Sequence, residues 1–268
     1  MLIVNADDLA MTPGANAGIF KGFDKGCITH ASIMANCDYF NEAINGIKER
    51  PNLNIGMHLN LTYGKSLSNS PLLTNSKGEF NLGYKDLLLN KDKSFLKAIK
   101  IEWDMQIQRV LDCIDSNLTH IDSHRHIHLI PHLYPIVIEL ASRYSINRVR
   151  LVKESFWSSL KLTKKANFIL NGGVVKYALL KSFSYIDKKY KDLYKDINFY
   201  SILYTGVVDK TILQALQYSS KTYEIMVHPS IVNHDKDIYF YDEAEKEYRV
   251  SKNREKELDA ILSIKKSC

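Results

Sequence analysis

The chain has 268 residues, of which 45% are hydrophobic and 25% are charged, with only 12 glycines and 6 prolines. This composition is typical of a globular protein and excludes collagen-like, low-complexity and intrinsically disordered chains. Lysine and arginine outnumber aspartate and glutamate by 36 to 30. The segment 153–196, in which lysines alternate with aromatic residues, contains a surplus of the same size. It is either a solvated helical cover or a surface for a lipid-linked or anionic glycan.

Strand-like and helix-like segments alternate along the chain. The predicted strands are 2–6, 28–34, 54–61, 119–124, 148–152, 200–204 and 223–228. The predicted helices are 13–25, opened by Thr12 and Pro13, then 38–49, 94–115, 131–144, 209–219 and 238–265.

This alternation predicts one α/β domain over residues 1–268. A doubly wound sheet and a barrel both fit it, but the glycine-rich phosphate turn of a dinucleotide fold is missing after the first strand. We therefore expect a distorted, seven-stranded TIM-barrel-like (β/α) barrel. Two excursions, 62–92 and 153–199, exceed ordinary loop lengths and are candidate lids over a site.

The four cysteines are widely spaced and include no CxxC pair, so neither a disulfide framework nor a cysteine zinc site is indicated. An aspartate pair follows the first residues at once, which leaves no room for a signal peptide. No apolar run is long enough for a membrane span. We expect a cytoplasmic protein with no transmembrane segment and no nucleic-acid partner.

Asp7 and Asp8 end the first predicted strand in the run NADD. At such a strand end one carboxylate can bind a metal while the other accepts a proton. The alternative is that one caps the next helix and the other is solvated. His58 lies in GMHLNL within the third predicted strand, where a single histidine is more often a hydrogen-bonded core residue than a ligand.

Four of the nine histidines lie in HIDSHRHIH, residues 120–128, at a period of two with Asp122 among them. An extended chain would place these five side chains on one face. Imidazoles bind transition metals, and a neighbouring carboxylate usually orients the ring. The spacing is compatible with a ligand pair at His124 and His126, and equally with His124 as a single ligand.

His228 ends the last predicted strand in EIMVHPS. The following proline keeps His228 extended, so that its ring can project from the strand end as a positioned acid or base. The alternative is a histidine that merely precedes a turn.

Together these segments resemble the YdjC-like carbohydrate deacetylases, a family that includes chitooligosaccharide and hopanoid-pathway deacetylases. The resemblance rests on six runs that cover nearly the whole chain in order: NADDLAMTPGANAGI, ITHASIMAN, GMHLNLTYGKSL, HIDSHRHIHLIPHLYP, RVRL and EIMVHPS. The chain departs from the family where Leu9 and Ala10 replace Phe-Gly and where Val227, Pro229 and Ser230 flank the last histidine. These changes leave the histidines and the Asp7–Asp8 pair unaltered, and they are expected to alter the shape of the substrate pocket.

The resemblance implies a metal held by Asp8, His58 and His124. It implies Asp7 as general base and His228 as general acid in a hydrolase that removes an N-acetyl group from an amino sugar or oligosaccharide. One divalent ion is implied, and Mg²⁺ and Zn²⁺ both suit an aspartate and histidine ligand set.

Three further residues are expected to support the site. Asp122 and His126 orient a ligand or the substrate, and Arg150 binds substrate hydroxyls or the acetyl group. A phosphoesterase or isomerase on the same barrel is the alternative enzyme, although no phosphate cradle is evident. A non-catalytic sugar-binding protein is the second alternative. The sequence leaves open whether the chain forms a homodimer.

Overall fold

The computed structural model describes residues 1–162, 173–185 and 197–264, and its centre is a curled, all-parallel sheet. The six strands in chain order are β1 (Leu2–Leu9), β2 (His30–Ile33), β3 (Asn54–Leu59), β4 (Ile121–Ser123), β5 (Asn198–Tyr200) and β6 (Tyr223–Val227). Their order across the sheet is β4-β3-β2-β1-β6-β5. The carboxyl ends of parallel strands meet at one edge, where α/β proteins place their sites.

Helices connect and cover the strands. They are α1 (Pro13–Lys25), α2 (Phe40–Lys48), α3 (Tyr84–Leu89), α4 (Lys93–Leu111), α5 (Tyr134–Arg143), α6 (Phe156–Leu162), α7 (Gly173–Tyr185), α8 (Lys210–Gln217), α9 (Glu243–Arg249) and α10 (Lys252–Leu262). Buried aliphatic residues between sheet and helices form the core. No described helix is long and apolar enough to cross a membrane.

The α/β prediction is confirmed, but the described residues form a half-barrel and not a regular seven-stranded barrel. The predicted strand at 148–152 is joined to Ile121 of β4 by a single parallel bridge at Val149. On its other side the Phe199 N–H donates to the Lys153 carbonyl at 3.4 Å. This segment therefore lies between the two edges of the sheet without a continuous ladder to either.

One predicted helix start is confirmed, and several other predicted helix and strand boundaries are shifted in the structure. Helix α1 begins as predicted, because the Thr12 side chain accepts from the Ala15 N–H at 3.0 Å. The helix predicted at 38–49 begins two residues later, at Phe40, with Tyr39 as its N-cap. The helix predicted at 238–265 is interrupted before Lys252, where α10 begins. The strand predicted at 200–204 lies earlier in the chain, since β5 spans Asn198–Tyr200.

The two excursions contain structure of their own. Residues 62–92 form two isolated antiparallel bridges and α3, and they rest on α4. The excursion 153–199 contains α6 and α7. Residues 163–172 and 186–196, which include part of the lysine-rich segment, lie outside the described residues.

Candidate metal centre

Asp7 and Asp8 contribute to the same site because β1 is irregular at its carboxyl end. Successive side chains of a regular strand point to opposite faces. The register between β1 and β2 shifts between Ala6 and Leu9, and Asp8 has a φ of 68°, in the left-handed region that non-glycine residues seldom adopt. Strain of this kind is common at functional sites. The bulge lets two adjacent carboxylates approach one site.

Asp8, His58 and His124 bring one donor atom each to the carboxyl edge of the sheet. The Asp8 Oδ1 atom lies 3.1 Å from His58 Nε2 and 3.2 Å from His124 Nδ1, and all three side chains are buried. Two ligands bonded to a metal at about 2.1 Å are about 3.0 Å apart at a right angle and about 3.4 Å apart at a tetrahedral angle. The two distances from Asp8 therefore fit a small divalent ion, and all three donor atoms lie within 4.8 Å of one another.

Asp122 fixes the orientation of His58. The His58 Nδ1–H donates to Asp122 Oδ1 at 2.7 Å, which leaves Nε2 directed at Asp8. Burial opposes a charge on His58, but the attraction of Asp122 and hydrogen bonds to Asp122 and Asp8 outweigh it and raise the His58 pKa to about 10. The imidazolium form carries a proton on both ring nitrogens, so a metal that binds Nε2 must displace the proton there.

A second group of donor atoms consists of Asp7, His58 and Asp122. Its carboxylates are already committed to Arg150. Asp7 accepts from that guanidinium twice at 2.7 Å, and Asp122 lies 2.6 Å from it. The Asp8 group is therefore the better candidate for the ion.

Arg150 holds these carboxylates in place from behind the site. Its side chain is 0% exposed, and it also pairs with Glu224 at 2.7 Å. Contact with substrate requires an accessible guanidinium, so the expected substrate contact does not fit the structure. Arg150 is instead a positioning residue for Asp7 and Asp122.

Arg249 of α9 neutralises part of the charge at Asp8. It donates to Asp8 Oδ2 at 2.5 Å and to Glu245 Oε1 at 2.8 Å. Burial raises the pKa of Asp8, but Arg249 and the hydrogen bonds from His124 and His58 outweigh burial and lower it well below its usual range. Asp8 is therefore a carboxylate, as a metal ligand must be.

The buried ion pairs around the site carry an excess of negative charge. They connect five carboxylates with three guanidiniums, namely Asp7, Asp8, Asp122, Glu224 and Glu245 with Arg148, Arg150 and Arg249. When His58 is neutral, as it must be once it binds a metal through Nε2, these eight buried groups carry two uncompensated negative charges. One divalent cation would balance them, which supports the fit of the Asp8 group to a metal.

His228 lies at the end of β6 on the other side of Asp8, with its Nε2 3.7 Å from Asp8 Oδ2. Its backbone is held by Glu257, which accepts from the N–H at 2.9 Å. Burial lowers the pKa of His228 well below its usual range; the attraction of Asp8 opposes this, and Arg254 and Arg249 reinforce it. The buried ring therefore favours its neutral form.

Residues 1–265 match the profile of the family described as YdjC-like protein. The chain belongs to the YdjC-like family. It is 38% identical over 146 residues to the carbohydrate deacetylase of Brevibacillus brevis, which is 54% of this chain and 57% of that protein. It is 29% identical over 234 residues to the chitooligosaccharide deacetylase of Citrobacter koseri, which is 87% of this chain and 82% of that protein.

The carbohydrate deacetylase of Clostridium beijerinckii is 33% identical over 165 residues, or 60% of this chain and 65% of that protein. The chain thus spans little more than half of the Brevibacillus relative and just under two thirds of the Clostridium relative. The crystal structure of a protein from Enterococcus faecalis V583 aligns with this chain with a TM-score of 0.65. That protein is described as a candidate cellobiose-phosphate cleavage protein. At 23% identity, over 97% of this chain and 90% of that one, the alignment shows a common fold.

The histidine-rich run of this YdjC-like chain does not stay extended beyond the strand predicted at 119–124. β4 ends at Ser123, and His124–Leu129 forms 3-10 turns. Arg125 and His126 both have a left-handed φ of 56°, which redirects the chain. The five polar side chains therefore do not share a face.

The histidines of this run have different surroundings. His120 Nε2 lies 3.0 Å from the Ser32 hydroxyl, which in turn donates to Asp122. His128 Nε2 donates to the Arg150 carbonyl at 3.0 Å. His126 lies edge-on to Phe199, with ring centroids 6.2 Å apart, and belongs to neither group of donor atoms. Of the two possibilities that the spacing left open, the donor geometry favours His124 as the only ligand from this run.

Arg249 and Glu245 are the functional residues that sequence reasoning missed. Both lie in the charged segment 238–265, whose composition resembles a solvated helix face. Their spacing of four residues, suited to an ion pair along a helix, was the one available signal. Nothing in that spacing indicates that the pair is buried against Asp8.

Proposed function

We propose that this YdjC-like protein is a metal-dependent hydrolase that removes the N-acetyl group from an acetylated amino sugar or oligosaccharide and releases acetate. The observation that carries the proposal is the buried Asp8, His58 and His124 group with the Asp7 carboxylate beside it. The names of the curated relatives support a carbohydrate substrate. We also infer that residues 148–153 complete a distorted, seven-stranded barrel around this site.

One divalent ion, Mg²⁺ or Zn²⁺, held by Asp8, His58 and His124 would act as a Lewis acid and lower the pKa of a water molecule. Because the protein would supply only these three ligands, such an ion would retain open coordination positions. Asp122 orients the His58 ligand, and Arg150 holds Asp122 and Asp7 in position. The bulge in β1 brings Asp7 close to the three ligands.

Asp7 is assigned the role of general base. Burial raises the pKa of Asp7, opposed by the attraction of Arg150, and a raised pKa strengthens a carboxylate as a proton acceptor. Its two oxygens are held by Arg150, and Asn5 donates to one of them at 2.7 Å. The carboxylate is thus fixed before the substrate arrives.

His228 is assigned the delivery of a proton to the leaving nitrogen. Without that proton an amine is a very poor leaving group. Because burial favours the neutral ring, His228 would have to receive the proton that Asp7 takes from the water molecule and pass that same proton to the nitrogen. The low pKa of His228 favours transfer of the proton from the ring to the leaving nitrogen.

The test is release of acetate from N-acetylglucosamine, chitobiose, chitotriose and a lipid-linked analogue, with and without chelator. We expect release that chelator abolishes and that Mg²⁺ or Zn²⁺ restores. Asp7→Asn should retain bound metal and lose about 10²–10⁴-fold in kcat, while the exposed Asp259→Asn should match the wild type. Metal-replete protein that releases no acetate would overturn the proposal, and release of phosphate from a sugar phosphate would favour the phosphoesterase.

A further inference from the structure

Aromatic rings run from the metal centre to the protein surface. The Tyr63 ring lies 6.4 Å from that of His124. The Tyr241 ring lies 5.2 Å from Tyr63, and the Tyr239 ring lies 5.1 Å from Tyr241. Tyr63 is buried, whereas Tyr239 is 68% exposed. The row therefore begins at a candidate metal ligand and ends in solvent.

The inner part of this row is held by hydrogen bonds and packing. The Tyr241 hydroxyl donates to Asp38 at 3.0 Å, and the next residue, Asp242, caps α9 by accepting from the Ala244 N–H at 2.8 Å. The segment that carries Tyr239 and Tyr241 is thus anchored at its inner end. A fixed ring loses little conformational entropy when a ligand stacks on it.

The groups beside the rings suit a sugar. A pyranose has a face of C–H bonds, which the electron-rich face of an aromatic ring attracts, and a rim of hydroxyls, which need donors and acceptors. Asp38 is an exposed acceptor. Arg125 and Asp242, whose charged groups are 3.4 Å apart with side chains 38% and 41% exposed, offer both kinds of partner. An isolated exposed tyrosine is unremarkable, but this one continues a row that starts at the metal centre.

We propose that Tyr239, with Tyr241 behind it, is a stacking platform for a further sugar unit of a substrate whose acetyl group is at the metal centre. The inference rests on the proposed function and adds a specificity determinant to it. Tyr239 would then contribute to the selection of an acetylated oligosaccharide over the monosaccharide.

The test compares kcat/KM on chitotriose with kcat/KM on N-acetylglucosamine. In Tyr239→Ala the ratio of the two should fall roughly three- to tenfold, the range expected for one aromatic contact. Tyr239→Phe keeps the ring and should keep the ratio. The matched control is Tyr218→Ala, since Tyr218 is 84% exposed at the end of α8; it should behave as the wild type.

A binding measurement separates this inference from the proposed deacetylation. Calorimetric titration of chitotriose into Asp7→Asn and into the Asp7→Asn, Tyr239→Ala double variant needs no turnover. Weaker binding by the double variant supports the platform even if the wild type releases no acetate. Equal binding, an unchanged ratio in Tyr239→Ala, or a loss in Tyr239→Phe as large as in Tyr239→Ala would overturn it.

Discussion

Asp122 is the carboxylate on which the orientation of His58 depends. In Asp122→Asn the hydrogen bond to His58 Nδ1 loses its charge, and Arg150 loses one of its three carboxylate partners. Changes of such orienting partners typically lower metal affinity 10–100-fold. We expect a loss of this size in a calorimetric titration with Zn²⁺. Asp115→Asn, at an exposed site, is the control, and equal affinities in the two variants would contradict the role given to Asp122.

Glu154 predicts a pH dependence of stability that is separate from catalysis. It is buried, and its carboxylate accepts from the Ser159 hydroxyl at 2.7 Å and the Ile202 N–H at 2.8 Å. Burial raises its pKa from 4.5 to about 7 against these hydrogen bonds. Between these two values the folded protein binds more protons than the unfolded chain. The free energy of unfolding should therefore fall as pH rises from 4.5 to 7.

The size of this effect is up to about 3 kcal/mol. In Glu154→Gln the amide imitates the protonated acid, so the contribution of this residue to the pH dependence should disappear. Urea denaturation of wild type and variant at pH 5 and pH 8 gives the comparison. Parallel changes in the two proteins would show that Glu154 titrates normally in the folded state.

The side chains found from the sequence share one property, which is that their motifs lie at strand ends. Asp7 and Asp8 occur where a short apolar run stops, and His58 lies one residue before the end of β3. Parallel strands bring such ends together. His126 and Arg150 show the limit of this reasoning. Their positions depend on left-handed backbone at 125–126 and on burial behind the sheet, and neither leaves a periodic pattern.

The excursion after β3 is tied to α4 through Glu102, which is fully buried. Glu102 accepts from the Ser66 hydroxyl at 2.6 Å and from the backbone N–H groups of Leu67 and Ser68 at 3.1 and 2.8 Å. One helix residue thus satisfies three donors of the excursion. A buried donor left without a partner costs about 1–3 kcal/mol, so this contact decides whether the excursion stays on α4.

In Glu102→Ala we expect the excursion to open and trypsin to cut it faster at Lys65 and Lys77. Limited proteolysis with identification of the fragments measures this, together with a thermal melt. Lys97→Ala changes an exposed residue of the same helix and serves as control. Cleavage at the control rate would mean that other contacts hold the excursion.

Long periodic elements were predictable, whereas short or irregular ones were not. Helix α1 matches its predicted bounds because Thr12 and Pro13 mark its start. The short helices α3 and α6 have too few turns to show a period. The segment 148–152 is rich in β-branched and basic residues, but its arginines are drawn to the buried Glu224, and it forms one bridge instead of a ladder.

The sheet as a whole follows from the alternation of apolar runs and helices, which requires parallel strands joined by crossovers. Its closure does not follow, because closure depends on tilt and stagger between strands that are distant in sequence. The same applies to the site. Asp8 comes from β1 and Arg249 from α9, and no local pattern shows that these residues meet.

The central position of β1 determines when the protein can fold during synthesis. Its neighbour β6 pairs Leu2 with Tyr223, and contacts so far apart in sequence impose a large loop-closure entropy and slow folding. One edge of β1 therefore stays unpaired until most of the chain has left the ribosome, and Asp8 has no Arg249 until later still. Nascent chains halted before β6 would expose an apolar strand edge, which makes them clients for chaperones and prone to aggregation.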